Sequence, residues 1–279
     1  CIRDYMRYAM KKMIIAFKGE IIKQHRNNFY SYFVYFSLLV WPILGFFTVY
    51  FTYKPFELGQ GSSIGINNSK DLMLFLSTGY MAYTCYWSMV QNAWQLSNHE
   101  RMNGTLEIAF MSPTNRMILI YGKALGPLLQ QTWMFLFFCI IIIIYAGGLT
   151  LKNILLIPII FILLIVSATF WGGMLNAMFL MSRDSSILMN IFDDPMVLFS
   201  GVKVPVNEFP LWAKLISSIF PLTYCLNLIR GVFNYMDFDS VLSNLIRLVV
   251  CLFVMFIITK YFVNKAEKLN RENGEFSVY

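Results

Sequence analysis

Residues 99–123, HERMNGTLEIAFMSPTNRMILIYGK, form a polar island between two strongly apolar runs. The run before it, 72–97, is rich in Leu, Met, Tyr and Trp, and the run after it, 124–147, holds five consecutive isoleucines at 140–144. A helix needs roughly 20 apolar residues to cross a hydrocarbon core. Both flanks meet that length, so the island lies between two crossings on one side of a membrane. The rest of the chain repeats the pattern. It is 58% hydrophobic and 13% charged, where a soluble domain carries about 25% charged residues. We expect a single all-α membrane domain with six spans near 29–53, 72–97, 124–147, 154–181, 187–202 and 241–262.

Before the first span, residues 1–28 place Ile2, Met6, Met10, Met13, Phe17 and Ile21 at helical spacing among seven lysines and arginines. This reads as an amphipathic helix lying in the membrane interface. With the N-terminus inside, 15 of the 22 lysines and arginines fall on inner segments. That bias predicts both termini in the cytoplasm, a multi-pass protein of the plasma membrane, and a cytosolic 98–123. Residues 203–237, with Pro205, Pro210 and Pro221 among apolar residues, read as re-entrant or interfacial helices on the outer side.

The sequence is poor in catalytic chemistry. His25 and His99 are the only histidines and neither has a metal-ligand partner at suitable spacing. The five cysteines include no CxxC pair. Asp193-Asp194 has no second aspartate-rich motif to complete a metal site. GxxxxGK[ST] is absent, so this chain has no such loop with which to bind ATP. No enzyme activity, cofactor, metal site or nucleic-acid partner is expected of the chain itself. If the machine is driven, ATP and magnesium sit on another subunit.

Within the island, Gly104 ends the preceding helix and Thr105 is placed to cap a short one running from Leu106 to Met111. Glu107 falls in its first turn and Pro113 lies beyond its end. Glu100, Arg101 and Glu107 are its charged contacts, alone no more than a solvated loop. The fuller pattern E-R-x-x-G-T-L-E, S-P-T-N-R and G-K resembles the cytoplasmic loop of the permeases of ABC type-2 exporters. A second match, F-S-G-V-K-V-P, F-P-L-W, F-P-L-T-Y and L-I-R-G across 199–231, resembles that family's stretch after its fifth span.

The resemblance implies a permease subunit that pairs with a second permease copy, in a homo- or heterodimer, and with two copies of a separate ABC ATPase. Residues Glu100, Arg101, Gly104, Thr105, Leu106, Glu107 and Pro113 would then form the coupling helix on which the ATPase docks. Arg183 in the short 182–186 loop is either a second such contact or a positive-inside marker. Pro205, Pro210, Pro221, Tyr224 and Arg230 would close an outer gate, and spans two and five would line a path between the two copies. The E-R-x-x-G-T-L-E form leans towards export of drugs, antimicrobial peptides or other amphipathic molecules. Export of a lipid-linked polysaccharide, and a non-transporting immunity or scaffold protein, are the alternatives.

Residue types suggest what that path would contain. Ser88, Gln91 and Asn92 make a polar face on the inner half of the second span, with Tyr83 and Trp87 above it. Lipid would penalise such a face, so it should meet protein or water. Asp193 and Asp194 inside a span require either a basic partner, a wet site or a cationic substrate. Gly122-x-x-x-Gly126 and the small residues Ala168, Gly172, Gly173 and Ala177 predict close helix packing.

Overall fold

The computed structural model describes residues 2–28, 31–53, 69–111, 115–146, 151–182, 185–233 and 238–273. Among these residues the chain is helical and contains no strand. In order the helices are α1 (Ile2–Asn28), α2 (Tyr32–Tyr53), α3 (Ser69–Met102), α4 (Thr105–Met111), α5 (Arg116–Leu125) and α6 (Leu128–Ala146). There follow α7 (Leu151–Phe179), α8 (Ser185–Phe199), α9 (Leu211–Ser217), α10 (Pro221–Phe233) and α11 (Phe238–Asn273), with a 3₁₀ turn at Val206–Glu208.

Four stretches are long and apolar enough to cross a membrane: Tyr32–Thr52, Arg116–Ile144, Leu156–Phe179 and Val241–Lys268. Leu211–Ser217 and Pro221–Gly231 make a fifth if that pair, bent by 94°, is one broken element. The expectation of six apolar spans is therefore met only in part. Helix α3 has the length, since 34 residues rise about 50 Å, but its polar residues lower its hydropathy. Helix α8 has 15 residues, about 22 Å, against a core of about 30 Å.

The reason α3 can be polar is its position. Leu76, Ala82, Tyr86, Met89 and Ala93 are fully buried, and α7 packs on them through Leu164, Ala168, Trp171 and Leu175. A methyl group on Gly172 would come within 3.2 Å of the Met89 backbone, and one on Gly173 would strike the Tyr121 ring at 2.4 Å. The small residues expected on the fourth span thus let α3 and α5 approach α7 closely. The outward faces of α2 and α11 carry exposed Phe, Val and Ile, as lipid-facing helices require.

Helix α1 is present, but its packed face is not the whole expected stripe. Met10 and Met13 are exposed, whereas Phe17, Glu20 and Gln24 pack against Gly122 and Gly126 at 3.3–3.5 Å from where side chains would begin. The helix also reaches α2, where the Tyr35 hydroxyl and His25 Nδ1 lie 2.8 Å apart.

Candidate functional site

At the end of α3 that leads into the polar island, four helices share a buried polar knot. Lys123 of α5, only 3% exposed, places Nζ 2.6 Å from Glu100 Oε2. Its ammonium also donates to Ser97 Oγ at 3.3 Å, and Ser97 donates to Asn176 Oδ1 of α7 at 2.7 Å. Lys23 of α1 approaches the other Glu100 oxygen at 3.5 Å and Glu20 at 3.6 Å. Burying a cation is costly unless it is paired and hydrogen-bonded. This ammonium has both forms of compensation.

Asn92 belongs to this knot. It is 6% exposed, donates to the Lys123 carbonyl at 2.7 Å and accepts from Gln24 Nε2. It also lines a cavity of about 420 Å³ with Gln24, Gln95 and His99, separate from the aromatic one described below. The polar face was real, but part of it meets the neighbouring helices α1 and α5.

Next to the knot, α4 runs over Thr105–Met111, one residue longer than expected. Gly104 has φ of 67°, a left-handed turn in which glycine alone has no steric penalty. The Thr105 hydroxyl reaches back to the Glu100 carbonyl at 3.3 Å. Leu106 and Phe110 are buried in an apolar cluster with Ile120, Ala177, Leu180, Val263 and Ala266. Met102 and Ile108 instead point outward, 78% and 67% exposed.

Arg101 fixes where α4 begins. Its guanidinium donates to the carbonyls of Phe179 and Ser182 at 2.8 Å and of Leu180 at 3.2 Å. These carbonyls lie at and just beyond the end of α7, and a cation suits that end of a helix dipole. Burial lowers its pKa from the ordinary arginine value, yet arginine remains charged. The Glu107 side chain, Pro113 and Arg183 lie outside the described residues.

A second site opens between α2, α3 and α8. A cavity of about 550 Å³ is lined by Tyr83, Trp87, Asp193, Asp194 and Lys203, among others. The Tyr83 hydroxyl donates to Asp193 Oδ2 at 3.2 Å, and the Tyr83 and Trp87 rings are 6.4 Å apart. Among the described residues neither aspartate has a basic group within 4.0 Å, and Lys203 is the basic residue that lines the same cavity. Ser88, half-buried, turns its hydroxyl back to the Cys85 carbonyl at 3.1 Å. Neither it nor Gln91 lines the cavity.

A family model for the ABC-2 type transporter matches residues 11–234, well over half of the chain. The match covers α1 from residue 11 onward, the knot, α4, the aromatic cavity and all of α10. The chain belongs to the ABC-2 type transporter membrane family. No curated protein matches it in sequence.

As an ABC-2 membrane subunit it is a transport component whose family works with an ABC ATPase. In this permease the region 199–231 is ordered by its prolines. Pro205 and Pro210 stand immediately before the 3₁₀ turn and α9, and Pro221 opens α10, where a missing N–H costs nothing. Tyr224 Oη donates to the Ser218 carbonyl at 2.9 Å, closing the bend between α9 and α10. Arg230 donates to the Gly201 carbonyl at 2.8 Å and the Phe75 carbonyl at 3.2 Å, and lies 3.7 Å over the Phe75 ring. It clasps α10, α3 and the turn after α8 together. Ser97, Gln24 and Asn176 of the knot were not singled out from sequence, and Lys123 entered only as part of the G-K pair. The available signal was a lysine immediately before the apolar run 124–147.

Proposed function

We propose that this chain is the permease half of an ATP-driven exporter, working as a dimer of permeases with two copies of a separate ATPase that carries ATP and magnesium. The observation that carries this reading is the mounting of α4. Arg101 ties its start to the end of α7, Leu106 and Phe110 root it in the inner apolar cluster, and Met102 and Ile108 stay outward for a partner. A push on α4 is then delivered directly to α3 and α7. The knot passes it to α1 and α5 through Glu100 and Lys123.

In this reading α3 and α8 complete six crossings of the plasma membrane, with both termini cytoplasmic and α9–α10 forming a re-entrant outer closure. The centre of the assembly suits α3, because a helix surrounded by protein need not be apolar. The cavity of Tyr83, Trp87, Asp193 and Asp194 lies on the path between copies. Its mixture of rings and unneutralised carboxylates favours amphipathic, positively charged cargo such as a cationic drug or antimicrobial peptide.

Ile108→Asp tests the coupling assignment, since it touches nothing buried. The variant should insert and dimerise normally but lose at least about tenfold of transport-coupled ATP hydrolysis, as an interface hot spot does when truncated. Wild-type coupling in the reconstituted complex would remove α4 from the mechanism.

A further inference from the structure

A cavity of about 760 Å³, separate from the aromatic one, lies against α7, α8, the α9–α10 bend and α11. Its depth is apolar, with Trp171, Phe192 and Met255 in the walls. Polar groups gather at one end, where Arg247, Tyr224 and Ser218 line it. Arg247 is the only charged residue between Val241 and Lys260. It forms no ion pair among the described residues. On the same helix Ile246, Val250 and Val254 line the cavity while remaining 48–57% exposed. The cavity is thus a groove open along the lipid-facing side of α11.

An arginine in a membrane-spanning helix is expected to have an anionic or polar partner, and none of the charged side chains described provides one. The bilayer itself holds groups of the right sign. We propose that this groove binds one anionic phospholipid, its phosphate on Arg247 and one acyl chain along the groove towards Phe262. From Arg247 to Phe262 the helix rises about 22 Å, more than the roughly 15 Å of half a hydrocarbon core. One extended chain therefore fits the length. A free phosphate would leave the apolar walls unused, and a zwitterionic lipid would bring a phosphate whose charge its own ammonium already offsets, so a net anionic headgroup suits an unpaired guanidinium better.

The site has a structural consequence through α8. Phe192 of that helix lines the lipid groove, while the next residues, Asp193 and Asp194, line the aromatic cavity. One short helix is the partition between them. A lipid seated on one side supports the wall of the other.

Native mass spectrometry of the full chain released from nanodiscs of phosphatidylcholine containing a minority of phosphatidylglycerol tests the proposal. Wild type should retain one phosphatidylglycerol per chain in preference to phosphatidylcholine. Arg247→Gln should lower that retention about five- to tenfold, and Arg247→Lys should keep most of it. Val250→Trp, which fills the groove with Arg247 intact, should lose the bound lipid altogether. Equal retention of the two lipids, or unchanged retention in Arg247→Gln or Val250→Trp, overturns it. Efficient oxidative cross-linking of Cys251 to Cys251 between copies also overturns it, because a second chain would then cover the groove. None of these readouts depends on an ATPase or on transport.

Discussion

Lys123 and Arg230 are basic side chains held among helices near the two ends of α3, and their partners differ in kind. Lys123 meets a carboxylate, Glu100, which a second lysine on α1 also approaches. Arg230 meets the backbone carbonyls of Gly201 and Phe75 and an aromatic face. A carboxylate between two ammonium groups can change its share of each as helices slide. A guanidinium on fixed carbonyls has no alternative arrangement of similar energy. The inner end is therefore built to exchange partners and the outer end to hold position. That contrast suits the coupling role proposed for α4.

The sharpest break in this contrast would come from Arg230→Met. It removes two hydrogen bonds made by a charged group and the ring contact, and we expect a loss of about 3 kcal/mol. Thermal unfolding of the purified protein would read it; a wild-type midpoint would show that the outer clasp holds nothing. Next in size, Lys123→Met should cost about 2 kcal/mol by leaving Glu100 half-buried with only Lys23. Adding Glu100→Gln should recover part of that loss, and a double-mutant cycle should give a coupling of at least about 1 kcal/mol. Additivity would mean the pair does not act as a unit. The smallest effect belongs to Lys23→Ala, within about 0.5 kcal/mol, because its ammonium is 44% exposed and solvent screens it. A cost equal to that of Lys123→Met would make the two lysines equivalent partners and remove the asymmetry within the knot.

Local chemistry made much of the fold legible. A glycine, a threonine and the polar island around them located α4 to within one residue, and three prolines marked where the 3₁₀ turn, α9 and α10 begin. These signals work because each is a constraint on backbone dihedrals at its own position. The knot was hidden for the opposite reason. Lys123 and Glu100 are 23 positions apart and meet only through the crossing of α5 on α3. Positive-inside counting treated Lys123 as a solvated cytosolic charge. The partners of Asn92 were hidden too, because periodicity identifies a polar face without naming its neighbour. Span counting fell short at α3 for a related reason, since hydropathy reports contact with lipid and α3 contacts mainly protein. Tyr83, Trp87, Asp193 and Asp194 were each identified from sequence, and it is the packing of α8 beside α3 that gathers them in one cavity.

Gly104 stands in open space: a side chain added there would meet nothing within 4 Å. What excludes other residues is handedness alone, because its φ of 67° is the mirror image of the helical value. The direction in which α4 departs from α3 is thus written in stereochemistry and is independent of crowding. A D-alanine at this position would be accommodated where an L-alanine is strained. The elbow between α3 and α4 is, in effect, a chiral hinge set by one residue.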